Sequence, residues 1–442
     1  MPHKDCTKGH GAAGPSPAAS ATKGISRRAL LKTGAAAAVA TGFPAPMIWA
    51  QNIKDITITH IGQSYSTIPE IGARANEELG FRVEMQTAPD QTTHINRLLT
   101  QPNSVDVTDM PNTNLKYFQG RGVLMPVKTS DYKWFDKTIP LLTTGKYPDG
   151  TSATMEGMAP IKTQYWATQD AKDYSLAPTE WLVGVPMYYN ADTLGVRPDL
   201  IGRPVDSWAE LLNPEFAGKV ALQDGTATGI ADSAMALQAL GEIDYADKGN
   251  MTRAEIDATI KKLIDYKKSG QFRSFWTNFD QSVQLMASGE VVLQSMWSPA
   301  VTEVRTRGID CKYNGMKEGY RGWYIMMTAM SHLEGLKRDC AIEYMNWVNS
   351  GWAGAFISRQ GFYNSVPENV KAFMSDNEYG YWYEGKPATE DILNPFGKVM
   401  EKAGITRDGG SLWDRMGNIG IWNTVMDEDR YLTRQWQSFL AA

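Results

Sequence analysis

Few residues of this chain are placed for covalent or redox chemistry. Beyond residue 50 the histidines are His60, His94 and His332, far apart in sequence, and neither a C-x-x-C nor an H-E-x-x-H spacing occurs. No G-x-S-x-G elbow presents a serine, no G-x-G-x-x-G opens a helix after a strand, and no phosphate loop with its lysine is found. What remains are aromatic and polar side chains at the ends of apolar strands, whose chemistry is non-covalent capture of a small molecule. Gln63, Ser64 and Tyr65 follow one strand; Asp109 and Met110 follow another. Asp224 to Gly229, with Thr228, forms a strand-to-helix turn whose free N–H groups and hydroxyls suit a carboxylate or another acceptor. Trp297 and Ser298 follow the apolar Val291-Val292-Leu293. Tyr188, Trp276, Trp323 and Gln360 complete the candidate set, while Trp347, Trp352, Trp413 and Trp422 read as packing residues.

The elements that must position these side chains alternate between strand and helix. Residues 55–61 alternate polar and apolar, a helical stretch runs through 69–79 to Gly80, and 81–86 reads as a second strand. A helix near 91–100, a short strand at 105–107 and a helix near 113–119 follow. This order predicts a parallel sheet with right-handed crossovers, and ligands of such sheets bind outside the carboxyl ends of the strands. Residues 135–180 carry little periodicity and read as a long excursion. Order returns at 181–190, in a short helix at 207–212 capped by Ser207 or Asp206, and in a strand at 219–222. Residues 252–269 are the clearest helix: Thr252 and Glu255 make a capping box, Ile256, Ile260, Leu263 and Ile264 form one stripe, and Gly270 stops it. A strand near 322–328 and a helix near 338–350 follow.

The first fifty residues are of another kind. Ser26-Arg27-Arg28-Ala29-Leu30-Leu31-Lys32 matches a twin-arginine export signal, and the weakly apolar run after it is broken by Gly34, Gly42, Pro44 and Pro46. That run is too short and interrupted to span a bilayer, and Ala50 supplies a small residue for cleavage. The reading is therefore a periplasmic protein cut near Ala50. Cleavage removes six basic residues and one acid, which takes the net charge from −5 to −10. Such an acidic chain carries no nucleic-acid footprint and favours cations mildly. The 392 residues that remain suit two domains. Two cysteines are left, Cys311 and Cys340. An oxidising compartment permits them to pair as a structural staple, but only their separation decides.

The strings Val185-Pro186-Met187-Tyr188-Tyr189-Asn190-Ala191-Asp192 and Ser207-Trp208-Ala209-Glu210-Leu211-Leu212-Asn213-Pro214-Glu215-Phe216-Ala217-Gly218-Lys219-Val220-Ala221-Leu222 resemble the family 1 extracellular solute-binding proteins. Within these the chain is most similar to the spermidine/putrescine-binding branch. Met286 to Val291 running into Trp297, Gly319 to Trp323, and Trp422 to Glu428 extend the resemblance over nearly all of 52–442. It implies a two-lobed α/β periplasmic-binding fold of type II, without cofactor or metal, that closes by hinge motion on a small solute. It also implies a monomer that hands its ligand to an inner-membrane ABC permease. The expected lobes are 51–186 with 299–338, and 187–298 with 339–442. Trp297 and Trp323 match that branch's pocket aromatics, and Tyr65 lies near its first clamp. The branch's acids near Trp297 are replaced by Pro299 and Ala300, and two more fall on Thr228 and Ala231, with Asp224 and Asp232 close by. The implied solute is cationic or zwitterionic: polyamine-like, a quaternary amine or a small zwitterion. An exported sensory receptor of the same fold, or a twin-arginine-exported enzyme, is the alternative.

Overall fold

The computed structural model describes residues 53–442, so the export signal lies outside the described residues. The first strands follow the expected order: β1 (Thr57–Gly62), α1 (Pro69–Leu79), β2 (Arg82–Thr87), α2 (Gln91–Thr100) and β3 (Val107–Pro111). The third strand lies two residues later than its apolar pair Val105 and Val107 suggested. Thr108 and Asp109 continue it inside the protein because both find buried partners, His94 Nε2 at 2.8 Å and His60 Nε2 at 2.9 Å. β1 pairs in parallel with β2 and β3. The stretch at 112–118 is a 3-10 helix, and 135–180 carries only short elements. Two of these short strands, Tyr165–Trp166 and Tyr174–Ser175, join Val127–Lys128 and Trp181–Leu182 in a small four-stranded sheet.

A second parallel set forms from β5 (Val220–Gln223), β6 (Phe272–Trp276) and β7 (Leu293–Met296). The long strand β4 (Val185–Val196) connects the two sets. Its first part pairs antiparallel with β8 (Tyr320–Ala329), and Thr193–Val196 pairs antiparallel with β7. β8 in turn runs antiparallel to β3. One mixed sheet thus reads β6-β5-β7-β4-β8-β3-β1-β2, with β9 (Tyr363–Asn364) on β4 and β10 (Ile419–Trp422) on β8. The lobes meet at Asp192 and Thr193, where β4 leaves β8 for β7.

Each parallel set has its own apolar core. In the second lobe α3 (Gly229–Ala239), α4 (Arg253–Lys268) and the last helix, α9 (Asp429–Ala441), bury Ile230, Ile256, Ile260, Leu263, Trp436 and Phe439 against β5. The Thr252–Glu255 capping box is present at the start of α4. α5 (Phe279–Ser288) and α6 (Ser298–Thr306) pack through Val283, Met286, Val301 and Val304. α6 therefore sits with the second lobe rather than with the first, where the sequence reading placed residues from 299. The converse holds for α7 (Gly335–Val348) and α8 (Trp352–Ser358): Cys340, Tyr344, Trp347 and Phe356 pack with Ile58, Ile71 and Val83 of the first lobe. In both cases the apolar face of the helix meets the lobe beside it in space, not the one next to it in sequence.

The cysteine pairing does not form. Cys311 and Cys340 are unbonded and lie in separate clusters. Burial pushes their thiols up to about 12 and about 11 respectively, which makes both poor nucleophiles. A thiol reagent is expected to modify neither in the native protein, and both after denaturation. Modification of either in the native state would contradict this packing. Among the described residues no helix is long and apolar enough to cross a membrane.

Candidate functional site

The carboxyl ends of both parallel sets turn toward the crossing of β4 and β8. Tyr65 follows β1 and is half-buried; its ring packs on Tyr188 with centroids 5.5 Å apart and on Phe362 at 5.1 Å. Trp323, on β8, meets Phe362 at 5.7 Å. Four aromatic rings therefore form one wall. Gln360 belongs to the same wall, donating from Nε2 to the Tyr65 carbonyl at 3.1 Å. On the second lobe, Trp297 and Ser298 begin α6 and are half-buried. Pro299 approaches the Gly361 turn so closely that a Cβ on Gly361 would lie 4.0 Å from the proline ring. Tyr65, Tyr188, Trp323 and Gln360 thus share one wall, and Trp297 and Ser298 precede the proline that borders its Gly361 turn.

Other candidates lie behind that surface. Asp109 is fully buried and accepts from His60 Nε2, from Ser66 Oγ at 2.9 Å and from Tyr188 hydroxyl at 3.0 Å. It fixes the aromatic wall from below. Gly62 is required beside it, because a Cβ there would come within 1.5 Å of Asp109 Oδ1. Trp276 is also fully buried; it donates to the Ser295 carbonyl and supports Trp297 edge-on at 4.9 Å. Asp224 accepts from Trp436 Nε1 at 2.8 Å. Thr228 is half-buried at the head of α3, with no capping bond from its side chain.

A charged group not singled out from the sequence lies at the centre. Asp192 accepts from Trp323 Nε1 at 2.8 Å through Oδ2 and from Tyr313 hydroxyl at 2.9 Å through Oδ1. The Tyr313 hydroxyl also reaches the Met296 carbonyl at 2.8 Å, which ties Asp192 to the residue before Trp297. Arg321 lies opposite Asp192 in the β4–β8 register, its Nη2 3.6 Å from Asp192 Oδ2. Its Nε donates to Asp232 Oδ1 at 2.7 Å and its Nη1 to Asn423 Oδ1 at 2.5 Å. Burial pushes the Asp192 carboxyl up to about 6, against the opposing pull of Arg321 and the Tyr313 hydroxyl. Burial raises Asp232 as well, again against Arg321. The period of two in Tyr188, Asn190 and Asp192 was the available signal, since it puts all three on one face of a strand.

This arrangement can enclose a small molecule between aromatic faces beside a carboxylate. It offers no nucleophile with an adjacent base toward the cleft, and among the described residues no group of three His, Cys, Asp or Glu is placed to hold a metal ion. A family model for the bacterial extracellular solute-binding proteins matches residues 70–372, more than half of the chain. The chain belongs to that family. As a solute-binding protein it is not an enzyme.

Solved structures carry the same fold over most of the length. The putative spermidine/putrescine ABC transporter protein of Listeria monocytogenes superposes with a TM-score of 0.56 at 13% identity, covering 87% of this chain and 98% of that one. The spermidine/putrescine substrate-binding protein PotD of Streptococcus pneumoniae gives 0.57 at 11%, covering 87% and 97%. An ABC transporter substrate-binding protein of Bradyrhizobium japonicum gives 0.54 at 17%, covering 87% and 100%. At these identities the likeness is one of fold, the two-lobed binding-protein architecture. No curated protein sequence matches the chain.

Proposed function

We propose that this solute-binding protein captures a small cationic or zwitterionic solute between its lobes and delivers it to an ABC permease in the inner membrane. The observation that carries this reading is the Asp192 carboxylate held between Trp323 and the strand end that bears Trp297. Aromatic faces attract a cation through their quadrupoles, and a desolvated cation also needs an anionic partner. Trp297, Trp323 and Tyr65 supply the first, and Asp192 the second. The polyamine names of two structural neighbours fit this class. The acids that the resemblance to the polyamine-binding branch leads one to expect near Trp297 are Pro299 and Ala300 here, so the solute is not assigned as a polyamine. Closure would pivot at Asp192–Thr193, where β4 passes from one lobe to the other. Twin-arginine export and cleavage near Ala50 place the mature chain in the periplasm. Replacing Arg27 and Arg28 together by lysine is expected to leave the precursor in the cytoplasm; unchanged periplasmic yield would contradict that route.

The raised Asp192 carboxyl makes the reading testable by pH. A bound cation favours the ionised form, so affinity should be constant above about pH 7 and fall as the pH drops through 6. Stability of the ligand-free protein runs the other way. The carboxyl holds its proton more tightly folded, at about 6, than unfolded, at 3.8. Its contribution is therefore greatest below about pH 4 and declines as the pH rises toward 6, by as much as about 3 kcal/mol. Calorimetry and urea unfolding at several pH values read the two trends. Affinity that rises on acidification would exclude Asp192 as the cation's partner.

A further inference from the structure

One peptide step near the pivot is open to a reaction of its own. Asn314-Gly315 is the only Asn-Gly pair in the chain. Glycine has no Cβ to shield its nitrogen, so an asparagine before it is open to attack by that nitrogen. Asn314 is exposed and lies in a segment without regular structure. Among the described residues neither its side-chain amide nor the Gly315 N–H finds a hydrogen-bond partner. The three Asn-Ser pairs are held instead. Asn349 and Asn364 are buried, and their Nδ2 atoms donate to the carbonyls of Pro186 at 2.8 Å and Met187 at 3.0 Å. Asn103 is exposed, but the Ser104 N–H is engaged on the Gln101 carbonyl at 3.0 Å. The fold also calls for the glycine after Asn314, since a Cβ on Gly315 would lie 2.7 Å from the hydroxyl oxygen of the buried Tyr320.

We propose that Asn314 is a site of spontaneous deamidation and isoaspartate formation, placed where its product loosens the pivot between the lobes. The Gly315 nitrogen attacks Asn314 Cγ; the N–Cγ bond forms, the Cγ–Nδ2 bond breaks, and the amide leaves as ammonia with the proton from the peptide nitrogen. Water then opens the cyclic imide at either carbonyl, giving aspartate or isoaspartate. In isoaspartate the main chain runs on through the former side chain and is one carbon longer. The old peptide carbonyl, which accepts from Thr193 Oγ1 at 3.2 Å, becomes a free carboxylate. The residues on either side cannot absorb this freely. Tyr313 is pinned by its N–H on Asp408 Oδ2 at 2.7 Å and by its hydroxyl, which reaches Asp192 and Met296 and accepts from the Thr193 N–H at 3.0 Å. Gly315 lies against Tyr320. The extra carbon therefore falls between two fixed points, beside Asp192–Thr193, where β4 passes from one lobe to the other.

The test needs no ligand. The folded protein is aged in mildly alkaline buffer at physiological temperature and sampled by peptide mapping that separates asparagine, aspartate and isoaspartate. Asn314 should convert first, with isoaspartate among its products, while Asn103, Asn349 and Asn364 stay intact. Amide hydrogen exchange is read on the same samples. The Thr193 amide should exchange at least about tenfold faster in aged than in fresh protein, and ageing should leave it unchanged in Asn314→Gln, whose side chain gives up no hydrogen bond. Fresh Asn314→Asp carries the new charge without the extra carbon and should keep Thr193 protected. An Asn314 that survives in the folded protein while it converts in urea overturns the site. Thr193 equally protected in aged and fresh protein, or equally exposed in fresh Asn314→Asp, overturns the link between the longer chain and the pivot.

Discussion

Replacing Asp109 by alanine is expected to destabilise the protein by about 3–5 kcal/mol, enough to unfold a protein of ordinary stability or bring it close to unfolding. Its carboxylate is fully buried and receives His60, Ser66 and Tyr188 as donors. Removing it strands three donors that are themselves buried, and such a cost exceeds the net value of the bonds lost. Asparagine at the same position keeps the shape and one acceptor, so it should cost distinctly less. Urea unfolding of both variants reads the difference. Because Tyr188 and Tyr65 pack on each other, binding should weaken even where the alanine variant stays folded. An Asp109→Ala protein as stable as the parent would show that this network is not the support of the aromatic wall.

Replacing Trp323 by alanine is expected to weaken solute binding by about 2–3 kcal/mol, or roughly 30- to 150-fold. Two effects add. The ring face is lost from the wall it shares with Phe362, and Asp192 loses the Nε1 donor that orients it. Phenylalanine restores a face without the donor and should recover part of the affinity, which separates the two contributions. Trp323 is only half-buried, so its truncation should affect stability less than binding. Calorimetry of the three proteins with one ligand measures the split. Equal affinity in all three would remove Trp323 from the site.

The scaffold was legible where local signals were complete. The Thr252–Glu255 box and the Ile256, Ile260 and Leu263 stripe marked α4, because capping and a 3.6-residue period are both written within a few positions. Pro69 to Leu79 ended at Gly80, which adopts φ 75. The ends of β3 differ from the sequence pattern because Thr108 and Asp109 look like loop residues until His94 and His60 are brought beside them. The helix at 335–348 packs with Ile58, Ile71 and Val83, which its sequence does not show, because its apolar face does not say which sheet lies beneath it. Tyr65 and Trp297 do follow strands, as their sequence positions suggest, whereas Trp323 lies inside β8. Asp192 and Arg321 are not legible in this way, since an ion inside a strand reads as a solvated face. Their partners are remote; Trp323 and Asp192 stand 131 positions apart. The two cysteines show the same limit, being compatible in number and unpaired in space.

The proposed site holds a cationic or zwitterionic solute against Trp297, Trp323 and Asp192. Its most direct test is a calorimetric titration of the protein and of its Trp297→Ala variant against polyamines, betaines, amino acids, sugars and inorganic anions. The tight ligand is expected to carry a cationic nitrogen, and its affinity to fall at least about tenfold in the variant. Tight binding of a sugar or an inorganic anion, undiminished by Trp297→Ala, would contradict it.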